Sequence, residues 1–462
     1  AHWGTRAVVY AGQGTKDHLR VAIQTLSGSV PRKTIYRHVG WRNMDGRWIF
    51  LHGDGGIGPE GPVKDIWVEL HEGLDAYRLP EPLKGDALRQ AIGEELELLH
   101  LAPPTIMFPL LAGVFRAPLG EVKGIDLTLF LCGQTGSQKS ELTALAQAHF
   151  GPDFHGKHLP GNWSTTANTL EKQAFLAKDV IFTVDDFAPN GTAADVQRLQ
   201  READRLIRAQ GNRSGRGRMR ADGTLRPVYY PRGLILSSGE DLPTGHSIRA
   251  RMLILDIQPG DVDLNRLTQV QKKAAKGMYA GLMAAYLEWL SPQLDRLRQD
   301  FQHRFEALRH EALQFGLGHT RTPEILASLA GGWALFLQFA QLSGAIDRQE
   351  QQSFWETGWQ ILVEVARKQT VFYQDEEPTH QFLTLVQSVL NSGRGHLAPT
   401  CAGYTFKSEE EAANYGWRLD HGAWQLPGEL IGWFDGEEIY LEPEMPLRWS
   451  KNWVGTREGP WR

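Results

Sequence analysis

Residues 133–140 combine glycines, hydroxyls and a lysine at the spacing of a phosphate-binding loop. The segment reads, in order, Gly133, Gln134, Thr135, Gly136, Ser137, Gln138, Lys139 and Ser140. It follows an apolar run at 125–131 and precedes a stretch with helical spacing from Glu141. Such a loop turns its N–H groups inward, and the next helix adds the positive end of its dipole. We therefore predict that all eight residues bind a nucleotide, with Lys139 on the β- and γ-phosphates and the Ser140 hydroxyl on Mg²⁺.

Gln138 departs from the usual pattern, which has a glycine at this position. A side chain here requires a backbone angle that glycine adopts more easily. The loop is therefore either a permissive variant or a weakened site, and the sequence leaves both interpretations open. Glycine is present at Gly133 and Gly136.

Two carboxylates follow the next apolar run, 180–184, as Asp185 and Asp186. The carboxyl ends of strands in an α/β sheet face a bound nucleotide. We predict that Asp185 belongs to the Mg²⁺ shell and that Asp186 polarises the attacking water. The alternative is that two acids merely end a strand, but the lysine loop upstream favours the nucleotide site.

Hydroxyls and arginines follow later in the same region. The run 233–236 ends in Ser237 and Ser238, and we predict that Ser238, or secondarily Ser237, senses the γ-phosphate. Arg249 and Arg251 precede the run 252–257. An arginine at the edge of a nucleotide sheet can reach the γ-phosphate of a neighbouring subunit and stabilise the transition state. Arg249 is the preferred candidate because Arg251 abuts the strand, and intrachain ion pairs are the alternative for both.

Positive charge is concentrated in residues 201–232. The segment has nine arginines against Glu202, Asp204 and Asp222, a local charge of +6 in a chain of net charge -5. Glycine, serine and the pair Asp222-Gly223 favour a loop or hairpin. Arginine forks match phosphate oxygens, so we predict nucleic-acid contacts without base preference. The predicted contact residues are Arg213, Arg216, Arg218 and Arg220. The alternative is a solvated loop whose arginines pair with acidic neighbours.

Composition places the chain among globular proteins. It has 462 residues and a hydrophobic share of 41%, ample for packed cores. No run approaches the roughly 18 uninterrupted apolar residues of a membrane-spanning helix, and the N-terminus lacks the order of a signal peptide. We expect a cytoplasmic protein that spans no membrane, with Cys132 and Cys401 as free thiols. Because the first residue is Ala1, we also expect sequence upstream.

Patterning predicts an α/β protein with four regions. Residues 1–100 alternate short apolar runs with turns, typical of a β-rich domain. Residues 101–262 alternate strands and helices, as in a P-loop ATPase domain. Residues 263–375 have helical spacing, broken by Pro292 and Pro323. Residues 376–462 hold a helix and a hairpin around Asp435-Gly436, which fits a winged helix.

The order of phosphate loop, double-acid strand, hydroxyl strand and late arginine resembles AAA+ ATPases. The stretches GWRNMDGRWIFLHGDGGIG, AQGNRSGRGRMRADGTLRP and RGLILSSGEDLPTGHSIRARMLIL further resemble the domain-of-unknown-function family that includes Cch-type self-loading helicases of bacterial mobile elements and phages. Most of residues 30–260 carry this resemblance. It implies a ring, akin to MCM and superfamily 3 helicases, that unwinds DNA with ATP and Mg²⁺. It also implies a primase encoded beside or fused to the protein, and a pore hairpin formed by the basic segment.

The function favoured by these residues is an ATP-dependent helicase or translocase on single-stranded or forked DNA, working as a homo-oligomer, expected to be a hexamer. Such an enzyme would act in replication of a mobile element or phage. One alternative is a nucleotide-regulated AAA+ loader or remodelling ATPase that binds DNA or protein without unwinding. Another is a nucleotide-binding scaffold disabled at Gln138.

Overall fold

The computed structural model describes residues 12–27, 33–71, 73–215, 217, 219, 222–225, 227–317, 319–374, 378–401, 403–421, 423–436 and 438–442. Short strands dominate its first part, together with three helices. The helices are α1 (Thr15–Leu26), α2 (Gly85–Glu97) and α3 (Pro104–Arg116). The strands are β1 (Ile35–Tyr36), β2 (Gly40–Met44), β3 (Arg47–His52), β4 (Gly55–Gly58), β5 (Gly61–Val63) and β6 (Trp67–Val68). Strands β2 to β5 form an antiparallel meander, and β1 pairs with β6.

A five-stranded parallel sheet forms the centre of the fold. Its strands are β7 (Thr128–Cys132), β8 (Gly161–Asn162), β9 (Ile181–Phe187), β10 (Leu234–Gly239) and β11 (Met252–Asp256). Their order in the sheet is β11-β7-β10-β9-β8. Four of these strands match apolar runs in the sequence, as expected for a sheet covered on both faces. This mixed α/β core with a parallel sheet confirms the α/β part of the predicted fold class.

Helices follow the strands of this sheet. They are α4 (Lys139–Gln147), α5 (Ala167–Leu176), α6 (Ala193–Asn212) and α7 (His246–Arg249). Helix α6 begins at a capping box, in which the Thr192 hydroxyl accepts from the Asp195 amide and the Asp195 carboxylate accepts from the Thr192 amide. This reciprocal arrangement satisfies two of the amides left free at a helix start. Because β10 lies between β7 and β9, its carboxyl end lies between the ends of those two strands.

Five long helices follow: α8 (Leu264–Ala275), α9 (Met278–Leu290), α10 (Leu294–Leu313), α11 (Thr322–Leu342) and α12 (Arg348–Gln374). Pro292 lies in a 3₁₀ turn between α9 and α10, and Pro323 is in the first turn of α11, where no amide donor is required. Helix α11 is long and apolar enough to cross a membrane by length and composition, but 78% of its apolar window is buried inside the protein. Core helices of soluble proteins meet the same criterion, so the helix is weak evidence for a membrane span.

One hydrophobic core joins these parts, from Val39 in the first region to Ala366 on α12. Helix α3 is buried almost all round and packs against α11. At their crossing Gly332 lies against the backbone of Arg116, and the buried Arg116 donates through Nε to Ser328 Oγ at 2.7 Å. The predicted boundaries at 100 and 262 therefore fall within residues that share this core, and they remain predictions.

The last described part has its own small core. Its elements are α13 (Pro378–Asn391), β12 (Gly395–Pro399), α14 (Glu409–Asn414), β13 (Arg418–Asp420), β14 (Ala423–Gln425), β15 (Glu429–Phe434) and β16 (Ile439–Leu441). The buried residues of this core are Val389, Leu390, Leu397, Ile431 and Phe434. Strands β15 and β16 form the predicted hairpin, with four residues between the paired ends Phe434 and Ile439 in place of the predicted two.

Candidate phosphate-binding site

The predicted phosphate loop connects β7 to α4, so its amides lie at the positive end of that helix. Gly133 is required by close approach, because a Cβ there would collide with the carbonyl of Ile257. Lys139 Nζ donates to the carbonyls of Gly133 at 2.6 Å and Gln134 at 2.8 Å. These two carbonyls occupy two of the three N–H donors of the ammonium group. A phosphate that enters the loop must therefore attract Lys139 in competition with these carbonyls.

Gln138 adopts the left-handed conformation that a glycine would take, with φ 66° and ψ 23°. Its carbonyl accepts from the Leu142 amide at 3.1 Å, which starts the hydrogen bonding of α4. Gly136 also has positive φ, at 88°. The loop thus keeps a backbone that suits glycine at both positions, and the half-buried Gln138 side chain donates through Nε2 to the Gly136 carbonyl at 3.4 Å. This geometry favours the permissive variant over the weakened site.

Asp185, on β9, accepts hydrogen bonds from side chains of α4 and β10 at the carboxyl edge of the sheet. Its Oδ1 accepts from Ser140 Oγ at 3.1 Å and also from Ser238 Oγ. Carboxylate and hydroxyl oxygens are ligands that Mg²⁺ accepts, together with waters and phosphate oxygens. The residues predicted for the metal, Ser140 and Asp185, are therefore in direct contact, and the predicted sensor Ser238 is beside them.

Asp186 lies in a β-bulge. Ser237 pairs with Val184 and Gly239 pairs with Phe187, so Asp185 and Asp186 together face Ser238. Asp186 has φ 68°, an uncommon conformation for a residue other than glycine. Bulges next to active sites re-aim side chains. The bulge places an exposed carboxylate directly after the half-buried Asp185, while the role predicted for Asp186 remains a prediction.

The two adjacent serines of β10 have different surroundings. Ser237 is buried, accepts from Trp163 Nε1 at 2.9 Å, and donates to the Val184 carbonyl at 3.0 Å. Ser238 faces Asp185. The geometry therefore favours Ser238 as the residue near a phosphate and assigns Ser237 to packing between β8 and β9.

Both candidate arginine fingers make contacts within the chain. Arg249 is buried and donates to the carbonyls of Pro243 at 3.3 Å and Phe372 at 3.0 Å. Arg251 donates to the carbonyl and hydroxyl of Ser247 and to Asn212 Oδ1 at 3.0 Å. Of the two, Arg251 is the more accessible. Their action on a neighbouring subunit remains a prediction.

The basic segment begins at the end of α6. Arg213 ends that helix with φ 49°, is exposed, and lies with its guanidinium against Gly124. Met219 and Leu225 form an antiparallel bridge, and Asp222 Oδ1 accepts from the Thr224 amide at 2.9 Å. These contacts agree with the predicted hairpin. The predicted contact residues Arg216, Arg218 and Arg220 lie outside the described residues.

Glu240 and Cys132 lie beside the loop, and the sequence prediction gave neither of them a role in the nucleotide site. Glu240 accepts from the Thr135 hydroxyl. Burial, followed by Asp256 and Asp241, raises the pKa of the Cys132 thiol to about 11, so the thiol stays protonated at neutral pH. Cys132 and Cys401 are both free, as predicted. The motif SSGED contains Glu240, but nothing in the sequence pairs it with Thr135, over a hundred residues away.

Comparison with protein-family models finds no match, and no curated protein sequence matches the chain. Among solved structures, the chain is similar to "SCCmec type IV Cch - active helicase", with a TM-score of 0.57 and 14% identity, over 95% of this chain and 76% of that chain. A structure of JCV helicase with a bound acetamide compound has a TM-score of 0.22 and 13% identity, over 50% of this chain and 74% of that chain. The first likeness shows that the chain shares the fold of that structure.

Proposed function

We propose that the protein is an ATPase that couples ATP hydrolysis to translocation on single-stranded or forked DNA and to its unwinding. The observation that carries the proposal is the contact of Asp185 with both Ser140 and Ser238 beside the Lys139 loop. This arrangement brings a metal-binding carboxylate, a metal-binding hydroxyl and a phosphate-sensing hydroxyl to one edge of the sheet. The likeness to a structure described as an active helicase supports the same function.

Each residue of the site has a role in this proposal. The amides of residues 133–140 and Lys139 hold the ATP phosphates, and Ser140 and Asp185 hold Mg²⁺, which neutralises phosphate charge when bound. Asp186 orients the attacking water, and Ser238 donates a hydrogen bond to the γ-phosphate oxygen that lies nearest Asp185. Arg249 or Arg251 reaches the γ-phosphate of the nucleotide bound by a neighbouring copy and stabilises the transition state.

DNA contact is assigned to the basic segment between β9 and β10. Because this segment connects α6 to the start of β10, whose other end carries Ser238 at the nucleotide, a change at the phosphates can move the segment along a charged polymer. We place the chain among AAA+ ATPases of the Cch-type helicase family, acting in the cytoplasm as a hexameric ring beside a primase in a mobile element or phage.

Hydrolysis of ATP with and without single-stranded DNA tests the enzyme assignment. Wild type should be stimulated by DNA, and Lys139→Ala should lose hydrolysis because the phosphates lose their cation. Lys64→Ala, at an exposed lysine after β5, is the matched control and should behave as wild type. Hydrolysis that persists in Lys139→Ala would contradict the proposal and favour a disabled scaffold.

A second pair of assays tests the coupling to DNA. Arg216→Glu with Arg218→Glu should abolish stimulation by DNA while ATP binding remains, because phosphates are repelled. An unwinding assay on a forked DNA duplex then distinguishes a protein that separates the strands from one that only binds them. Stimulation without strand separation would favour the loader or remodelling ATPase.

A further inference from the structure

A carboxylate from the end of β10 reaches the phosphate loop. Glu240 directly follows Gly239, the last residue of β10, and its side chain accepts a hydrogen bond from the Thr135 hydroxyl. We call this contact the loop latch. Both of its residues are exposed, so solvent reaches the latch. It joins the loop to the strand that carries the proposed phosphate sensor.

The backbone of Glu240 is held on two sides. Its amide donates to the Phe187 carbonyl at 3.2 Å, and its carbonyl accepts from the Cys132 thiol at 3.6 Å. The preceding carbonyl, that of Gly239, accepts from the Gly133 amide at 3.2 Å. A Cβ at Gly239 would lie only 2.5 Å from the Phe187 carbonyl oxygen. The carboxylate is therefore brought to the loop from a fixed backbone, and it can leave the loop by rotating about its side-chain bonds.

Other side chains of the loop are bound to the loop itself. Lys139 Nζ lies 3.4 Å from Ser137 Oγ, in addition to its two carbonyl acceptors. The Ser137 hydroxyl donates to the Gln134 carbonyl at 2.8 Å. The loop is thus closed by its own hydrogen bonds, and Glu240 adds an acceptor from outside it.

A phosphate and the Glu240 carboxylate compete for the same part of the loop. Both are negatively charged, and both accept hydrogen bonds. Lys139 is the only charged residue among residues 133–140, whereas Asp185 and Asp186 already supply two carboxylates at this edge of the sheet. Like charges repel at close range, and more strongly where protein replaces water. The carboxylate must therefore leave the loop when phosphates enter it.

We propose that Glu240 is a positioning residue of the nucleotide site and acts through Thr135. In the empty site its carboxylate holds the Thr135 hydroxyl and lowers the affinity of the loop for ATP. When the phosphates enter, the carboxylate rotates away and the hydroxyl is released. The latch thereby sets the ATP concentration at which the loop fills. The proposal rests on the proposed function for the identity of the nucleotide, and it gives Glu240 no part in the chemical step.

Equilibrium binding of ATP to Glu240→Gln tests the latch. The amide keeps the size of the side chain and removes its charge, so the Kd for ATP should fall about five- to tenfold. In steady-state hydrolysis the change should appear in KM and not in kcat. The gain should be smaller for ADP, which brings one phosphate fewer. It should also shrink as the salt concentration rises, because salt screens the repulsion.

Two further variants separate the latch from a general effect of charge. Asp241→Asn removes the same charge from the next residue, which is also exposed, and should bind ATP as wild type does. Thr135→Val removes the hydroxyl that Glu240 holds, so it should also lower the Kd for ATP. Combined with Glu240→Gln it should give no further gain, because both changes remove one contact. Thermal unfolding of each variant checks that the fold is retained.

An equal Kd for ATP in wild type and Glu240→Gln would overturn the proposal. So would equal gains in Glu240→Gln and Asp241→Asn, which would show a general effect of charge. A loss of kcat in Glu240→Gln at unchanged Kd would make Glu240 a catalytic residue instead. Absence of ATP binding in both wild type and Glu240→Gln would contradict the proposed function and the latch together, whereas the other three results leave the proposed function intact.

Discussion

Gln138 occupies a left-handed backbone position at the start of α4, and a β-branched side chain fits that conformation poorly. Gln138→Val should therefore lower the free energy of unfolding by about 1–2 kcal/mol and impair ATP hydrolysis. Gln138→Gly, which meets no conformational penalty there, should retain both. Thermal unfolding and hydrolysis rates of the two variants check this. Equal behaviour of the glycine and valine variants would show that the backbone angle does not limit the loop.

The neighbouring serines of β10 allow a matched comparison. Ser237→Ala removes the acceptor of the buried Trp163 Nε1, so it should lower the free energy of unfolding by about 1–3 kcal/mol. Ser238→Ala removes the hydroxyl beside Asp185 and should lower kcat about tenfold or more with little change in stability. Denaturant unfolding and steady-state kinetics measure both effects. A larger kinetic loss in Ser237→Ala would reverse the assignment.

The types and spacing of the site residues allowed a prediction of the loop, the acids and the sensor from sequence. They could not reveal that Arg249 would be buried, because its acceptor is the carbonyl of Phe372, 123 residues away. Such a contact depends on how α12 packs on the sheet. The bulge at Asp186 was equally hidden, because alternating side chains do not specify a pairing register.

At the scale of elements, a buried pair joins α2 to the turn that follows α4. His149 Nε2 is 2.9 Å from Glu95 Oε2, and Nδ1 faces the Leu145 carbonyl at 3.0 Å. Burial alone would lower the pKa of His149, but the Glu95 carboxylate and these hydrogen bonds raise it above 6.5 overall. The pair is therefore a charged link between α2 and the turn that follows α4.

Because the folded pKa is raised, the stabilisation is complete below about pH 6.5, the unfolded value, and is lost as the pH rises through the folded value. Tm should fall over this window in wild type. In Glu95→Gln the protein should instead be least stable at low pH, because no carboxylate then offsets the burial of a protonated imidazole. His155→Gln, at an exposed histidine, is the control. Parallel pH profiles of wild type and Glu95→Gln would refute the charged link.

Elements with long apolar runs could be predicted from the sequence, and elements without them could not. Strands β7, β9, β10 and β11 all overlap their predicted runs. Strand β8 has two residues, too few for a periodic pattern. Its place at the sheet edge is set by Trp163, whose amide donates to the Asp185 carbonyl at 3.0 Å.

At the scale of the whole molecule, the two hydrophobic cores should unfold separately. The main core extends to Ala366, and the small core begins at Val389. A chain that ends at Gln374 should retain the main thermal transition and ATP binding, whereas the full chain should show an additional, weaker transition. Calorimetry of both chains checks this. Loss of the main transition on truncation would show that the two cores depend on each other.

The packing of α3 against α11 has a consequence for biosynthesis. These two apolar helices cover each other, yet about 200 residues separate them in the sequence. At roughly 5–20 residues per second a ribosome needs about 10–40 s to make that interval. Throughout this time the nascent α3 lacks its cover, so a chaperone that shields apolar helices should increase the yield of soluble protein, and messages that slow translation between the two helices should increase aggregation.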